Sequence, residues 1–315
     1  MPEKHMRLLQ NRQGRSGVAL GSGCAIVFGL PFLAVGVVVM VLGILYSPVK
    51  IDGDKLPIFV PLAFGGTFAA VGLFICAHGV QGLRRKSRQR RFAEMHLDEP
   101  WFADYPWDMT GITDNAARKV IRAFLIAAFL FVFLVPFNYA VFVAKADEAP
   151  LFAKIIVGIF DVLMPGVLGR ALYCLARYLK YGSASLRFKS FPFFLGERLE
   201  AQFVPPGEVR DCRSINITLR CIEERFETDS DNSNVVRCYE IYADTVLVEG
   251  DAAGASYPAV PIAFDLPDDA PSTALAERPP VYWEIEIKAN VPGIDYRTNL
   301  LVPVYARPDR GERTP

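Results

Sequence analysis

The chain has 315 residues and a mass of 35.0 kDa, with 52% hydrophobic and 22% charged residues and a mean hydropathy of +0.24. That balance excludes a disordered or collagen-like chain and is too apolar for an ordinary soluble domain of this size. The 34 basic and 34 acidic residues cancel, yet residues 1–182 hold 20 Lys and Arg against 12 Asp and Glu, whereas residues 183–315 hold 14 against 22, a split that points to two differently solvated regions.

A helix needs about 20 apolar residues to cross a hydrocarbon core about 30 Å thick. Four segments meet that length, so helices are predicted at about 18–46, 57–82, 122–143 and 151–176. No charge falls between Arg15 and Lys50 or between Lys55 and Arg84, while the fourth segment carries charges well inside it, among them Asp161 and Arg170. Lys4, Arg7, Arg12 and Arg15 resemble the start of a signal peptide, but the apolar stretch that follows is too long and ends without a small-residue cleavage site, so it reads as a retained helix. The N-terminus and the segment from Arg84 to Arg122 are strongly basic, while the connections 47–56 and 145–150 are short and mixed. Basic loops stay on the cytoplasmic side, so both termini are expected in the cytosol.

The segment 84–118 opens with Arg84, Arg85, Lys86, Arg88, Arg90 and Arg91, which are expected to touch anionic lipid headgroups at the membrane face. Nucleic acid is not an expected partner for a patch held against a bilayer. Trp101, Phe102, Tyr105 and Trp107 then alternate with acidic residues, which places Trp101, Tyr105 and Trp107 at headgroup level. His96 and Asp98 have no further His nearby, so no metal site is expected there.

Inside the apolar segments Asp161 lies near mid-bilayer, where a carboxylate requires a partner or a function. Arg170, nine residues or about 13 Å further along the helix, is too distant to pair with it simply. Asn138, beside Pro136, offers an amide to a neighbouring helix, and Pro165 and Gly166 mark a second local break. Gly65, Gly66, Ala69, Ala70 and Gly72 form small-residue faces suited to close helix packing.

From Ser183 the pattern changes to short alternating runs, and strands are predicted at 186–190, 198–204, 214–224, 235–242, 245–249, 259–264, 281–289 and 297–305. Together they read as an antiparallel β-sandwich over 183–308, followed by a disordered tail, 309–315. The fold class is therefore a four-helix transmembrane domain, 1–182, joined to a β-sandwich of immunoglobulin-like character. Cys24, Cys76 and Cys174 fall in or near the membrane helices, Cys212, Cys221 and Cys238 fall in the sandwich, and none is spaced as a zinc site.

The stretch from Val260 through Phe264, Leu266, Pro267, Pro271 and Ser272, with Val281–Ala289, Val291–Tyr296 and Leu301–Tyr305, resembles one half of an arrestin-type sandwich. The whole chain is similar to bacterial multi-pass membrane proteins of unknown function, through Pro106, Trp107, Gly111 and Ile112 and through the element Phe194–Leu199. Those proteins often carry an extracytoplasmic domain after the first helix, where this chain has a loop of about ten residues. The resemblance implies a module that binds proteins through edges and loops, and it brings no catalytic residues and no cofactor.

Asp229, Asp231, Ser233 and Glu240 match calcium-loop positions, but Asn234 replaces the required glycine, and a polar hairpin loop is expected instead. No nucleophile set, phosphate loop or His-Glu-x-x-His occurs, so no enzymatic activity is expected. The sequence thus reads as a non-enzymatic protein of a bacterial plasma membrane whose cytosolic sandwich binds a protein partner. A small oligomeric transporter using Asp161 is the alternative, and a lipid-directed enzyme working through the 84–107 segment is a third.

Overall fold

The computed structural model describes residues 6–9, 12, 14, 22–46, 49–51, 54–95, 99–144, 147–206, 209, 212, 214–229, 232–249, 259–291 and 293–307. In chain order these form β1 (Arg7–Leu8), α1 (Ser22–Leu45), a small hairpin of β2 (Val49–Ile51) and β3 (Asp54–Leu56), α2 (Phe59–Met95), α3 (Trp101–Asp104), β4 (Gly111–Thr113), α4 (Ala116–Asn138) running into a π-helical segment (Tyr139–Ala144), and α5 (Leu151–Tyr181). The strands β5 (Ser185–Phe188), β6 (Phe193–Phe194), β7 (Arg198–Val204), β8 (Ser214–Thr228), β9 (Asn234–Glu249), β10 (Val260–Asp265), β11 (Val281–Ala289), β12 (Tyr296–Val302) and β13 (Val304–Tyr305) follow. Two compact units result: Leu20–Lys86 with Ala117–Ala176, and Met1–Ala19 with Ser87–Ala116 and Arg177–Pro315. The residues that cluster with the sandwich thus include two segments upstream of the Ser183 at which the composition changes.

Four helices of the chain are long and apolar enough to cross a membrane: residues 23–45, 59–89, 116–144 and 151–181. Within the helical unit α1 and α2 run antiparallel and meet through glycines. A Cβ on Gly29 would lie 2.9 Å from the Gly72 carbonyl oxygen, one on Gly65 2.7 Å from the Gly36 carbonyl oxygen, and one on Gly43 2.7 Å from Pro61 Cβ. Gly29, Gly36 and Gly43 recur every seven residues, as do Gly65 and Gly72, a period that keeps one face of each helix turned to its neighbour. Ring contacts of 5.3 Å between Phe59 and Tyr139 and 5.8 Å between Phe64 and Phe137 set α4 antiparallel to α2. Pro136 removes an amide from α4, and the backbone recovers through the π-helical segment that follows.

The helix limits differ from those expected. α2 continues to Met95 instead of ending near 82, because Arg, Lys and Gln favour helix as strongly as the apolar residues before them and no Pro interrupts the run. α4 begins at Ala116, whose amide donates to Asp114 Oδ1 at 3.2 Å, and α5 runs on to Tyr181, ahead of Gly182 at φ +69°. Residues 18–21 of the first expected helix lie outside the described residues.

The second unit is an antiparallel sandwich. One sheet has the order β1-β9-β8-β11-β12 and the other β10-β7-β5-β4. Their inner faces share one core, with Ile215, Ile217, Leu219, Trp283, Ile285 and Ile287 from the first sheet against Leu186, Leu199, Phe203 and Ile262 from the second. Two strands expected at 235–242 and 245–249 are the single strand β9, and Ile241 is an extra residue there that turns both itself and Tyr242 toward the core. The strand expected at 297–305 is divided at Pro303, which has no amide for the ladder, and β13 pairs instead with β6 in a separate parallel ladder. Residues 309–315 lie outside the described residues.

Candidate functional site

In the helical unit the structure joins two of the polar residues singled out in the sequence. Asn138 Nδ2 donates to Asp161 Oδ1 at 2.9 Å and also approaches the Leu134 carbonyl at 3.3 Å, so an amide on α4 is tied to a carboxylate on α5. Arg170 is exposed further along α5 and takes no part in this pair. Asp161 is half-buried in this unit, and the amide gives its carboxylate a hydrogen-bond donor from the neighbouring helix.

Arg84, Arg85, Lys86, Arg88, Arg90 and Arg91 are all helical, on the last turns of α2, and not in a loop as expected. Arg84, Lys86, Arg88 and Arg91 are exposed; the side chains of Arg85 and Arg90 lie outside the described residues, as do His96 and Asp98.

The aromatic segment is placed differently from the expected headgroup position. Trp101 and Trp107 are 7% and 8% exposed and belong to a second core on the outer face of the larger sheet, with Ile222, Tyr282, Leu301 and Tyr305. Trp107 Nε1 donates to Tyr305 Oη at 2.9 Å, and that hydroxyl donates to Asp104 Oδ2 at 2.7 Å. Burial, then the charge of Asp104 and its hydrogen bond, keep the Tyr305 phenol protonated. Tyr105 is half-buried beside Trp107, 4.7 Å between ring centres. These rings are amphipathic by sequence, but β4 pairs with β5 directly after them and draws them into protein. Gly111, at φ +154°, lets the β4 backbone approach β5, since a Cβ there would lie 3.0 Å from Arg187 Cα.

The same outer face carries a buried ionic network that sequence reasoning missed. Both Glu284 and Glu286 side chains are fully buried. Arg12 grips Glu284 through both terminal guanidinium nitrogens, Nη1 and Nη2, and Asn299 Nδ2 donates to Glu284 at 3.2 Å. Glu286 meets Arg220 Nη2 at 2.7 Å, Lys288 Nζ at 3.0 Å and Arg297, while Arg220 Nε reaches Glu240 at 2.9 Å. Burial pushes the Glu286 carboxyl up, but the Lys288 contact and the charges of Arg220, Arg297 and Lys288 outweigh it and hold the carboxyl below the ordinary range. The alternation Trp283-Glu284-Ile285-Glu286-Ile287 does place both glutamates on one face. The charge partner of the buried Glu284 is Arg12, 272 residues away, which no local pattern reveals.

The other candidates resolve as structure. Asp229 and Asn232 close the hairpin between β8 and β9, with the Asp229 amide on the Ser233 carbonyl at 2.8 Å and Asn232 at φ +63°; Asp231 lies outside the described residues. Among the described residues no group of three His, Cys, Asp or Glu is placed to hold a metal ion, and no disulfide joins any of the six cysteines. Burial, followed by the charge of Glu224, raises the Cys238 thiol, which keeps it unreactive. A groove of about 480 Å³ lies along the β4 edge, lined by Tyr105, Trp107, Thr110, Ile112, Ser185 and Arg187 among others.

Fold and site together define a protein with four membrane-length apolar helices and an antiparallel β-sandwich. No protein-family model matches the chain, and no curated protein matches it. Among solved structures it is similar to Spo0M, a sporulation control protein from Bacillus subtilis, at 17% identity over 39% of this chain and 49% of that one, with a TM-score of 0.27. The likeness spans about half of the Spo0M chain and adds nothing to the reading of the site.

Proposed function

We propose that this is a multi-pass protein of a bacterial plasma membrane whose β-sandwich faces the cytosol and binds a protein partner there, assembling rather than catalysing. Chain order supports the topology: the segments before α1, between α2 and α4, and after α5 all cluster in the sandwich unit. Four crossings leave those three segments on one face of a membrane, and their Lys and Arg content favours the cytosolic one.

The observation that carries partner binding is the edge of β9. β1 pairs with it only at Tyr239 and Glu240, and among the described residues no strand pairs with the edge from Ile241 to Glu249, where Val246 and Leu247 are 41% and 56% exposed. An open edge of that length with apolar side chains is a template for strand addition, the recognition mode an arrestin-like sandwich would use. The Asn138 bond favours a packing role for Asp161 over a place in a transport pathway. A photo-crosslinker at Thr245 in the membrane-embedded protein should capture one protein in stoichiometric yield, and Leu247→Lys should abolish the product while leaving the fold intact. Equal crosslinking in both, or none in either, contradicts the reading.

A further inference from the structure

We infer that the first two turns of α4, within the helical unit, form a binding site for an anionic phospholipid. Arg118, Lys119 and Arg122 are all exposed there. Positive charge at this end of a helix is opposed by the helix dipole, so helix stability is not what places three cations there. Along the same helix the surface changes within one turn from cationic to apolar, with Ile121 60% and Leu125 64% exposed, followed by exposed Ile126 and Phe129. A phosphate between Arg118 and Arg122, one turn apart, leaves acyl chains to lie along Ile121, Leu125 and Phe129. Because α2 runs antiparallel to α4, Arg84 and Lys86 stand at the same end of this unit and add to its charge. The acidic residues of the unit fall elsewhere in the sequence, Asp52, Asp54, Asp147 and Glu148 in the connections between helices and Asp161 midway along α5, while Asp114, four residues before Arg118, accepts from the Ala116 amide at 3.2 Å and from Thr298 Oγ1 at 3.3 Å. Charge complementarity therefore commits the site to an anionic headgroup, and the inference rests on the membrane-spanning reading.

The test uses the full chain in mild detergent, with retention of phosphatidylglycerol and phosphatidylcholine compared by native mass spectrometry. The wild type should retain phosphatidylglycerol preferentially. The triple variant Arg118→Gln, Lys119→Gln, Arg122→Gln should lose about a hundredfold of that preference, at roughly 1 kcal/mol per cation. Arg118→Lys with Arg122→Lys should keep most of it, and Arg187→Gln on the sandwich should leave it unchanged. Equal retention of both lipids by the wild type, or an unchanged preference in the triple variant, overturns the site. Resistance of the wild type to alkaline carbonate extraction from membranes separates the two readings: a resistant protein without lipid preference loses only this site, whereas an extracted one loses the membrane reading and the site with it.

Discussion

Arg12 and Glu284 are the pair on which the largest single effect is expected. The carboxylate is fully buried on the outer face of a sheet, and the guanidinium that neutralises it comes from the stretch just ahead of α1. Removing one partner leaves a buried charge uncompensated, so Arg12→Ala should destabilise the sandwich by about 3–5 kcal/mol, measurable by denaturant unfolding of the full chain. Replacing both, Arg12→Met with Glu284→Met, should recover most of that loss. Glu286 makes the network pH-sensitive. Its folded-state pKa lies below the ordinary 4.5, so its contribution is present above that value and is lost as pH falls through the lower folded-state value. Thermal stability should therefore drop below about pH 4.5, and less so in Glu286→Gln, which no longer titrates. At this scale the sequence is informative about faces and silent about partners: Asp161 and Asn138 stand out as polar residues in apolar runs, but their bond across two helices follows only from the packing of α4 on α5.

At the scale of elements the α1–α2 contact depends on the absence of side chains. Gly36 and Gly72 sit where the opposite backbone occupies the position of a Cβ, so Gly36→Leu or Gly72→Leu should separate the helices and cost at least about 1–3 kcal/mol, the range for overpacking. Gly66, whose nearest neighbour would be Met40 Sδ at 3.8 Å, should tolerate Ala with little change in melting temperature in detergent. The small-residue face of α2 is visible in the sequence, while the matching heptad of glycines on α1 becomes apparent only once the two helices are paired. Strands with strict alternation, β7 and β11, coincide with their expected ranges. The differences arise where geometry overrides pattern. Ala243 and Asp244 look like a turn but belong to an exposed stretch of β9, the Arg-rich run of α2 looks like a loop but is helical, and Trp101 and Trp107 look interfacial but fill a second core. In each case side-chain polarity is a true guide to exposure in general and a poor guide to backbone conformation.

At the scale of the molecule, three stretches of chain separated by apolar helices build one sandwich unit. β1 with Arg12 precedes α1, the Trp101–Thr113 segment joins α2 to α4, and β5 through β13 follow α5. Composition identifies the apolar helices and the strand-rich C-terminal part. It does not reveal the first two contributions to the sandwich, because β1 and β4 have only two and three residues and their burial is created by distant strands. The arrangement constrains topology more tightly than any single hydrophobic segment, since all three stretches must share a side. The most direct test of this account is cysteine accessibility in a cysteine-free full-length background, using a membrane-impermeant maleimide on intact cells and on inverted vesicles. Glu148→Cys, between α4 and α5, should label on intact cells, while Lys189→Cys on the sandwich and Thr110→Cys before α4 should label only in inverted vesicles. Labelling of Glu148→Cys from the same side as Lys189→Cys, or of Thr110→Cys from the side opposite to it, would contradict the account.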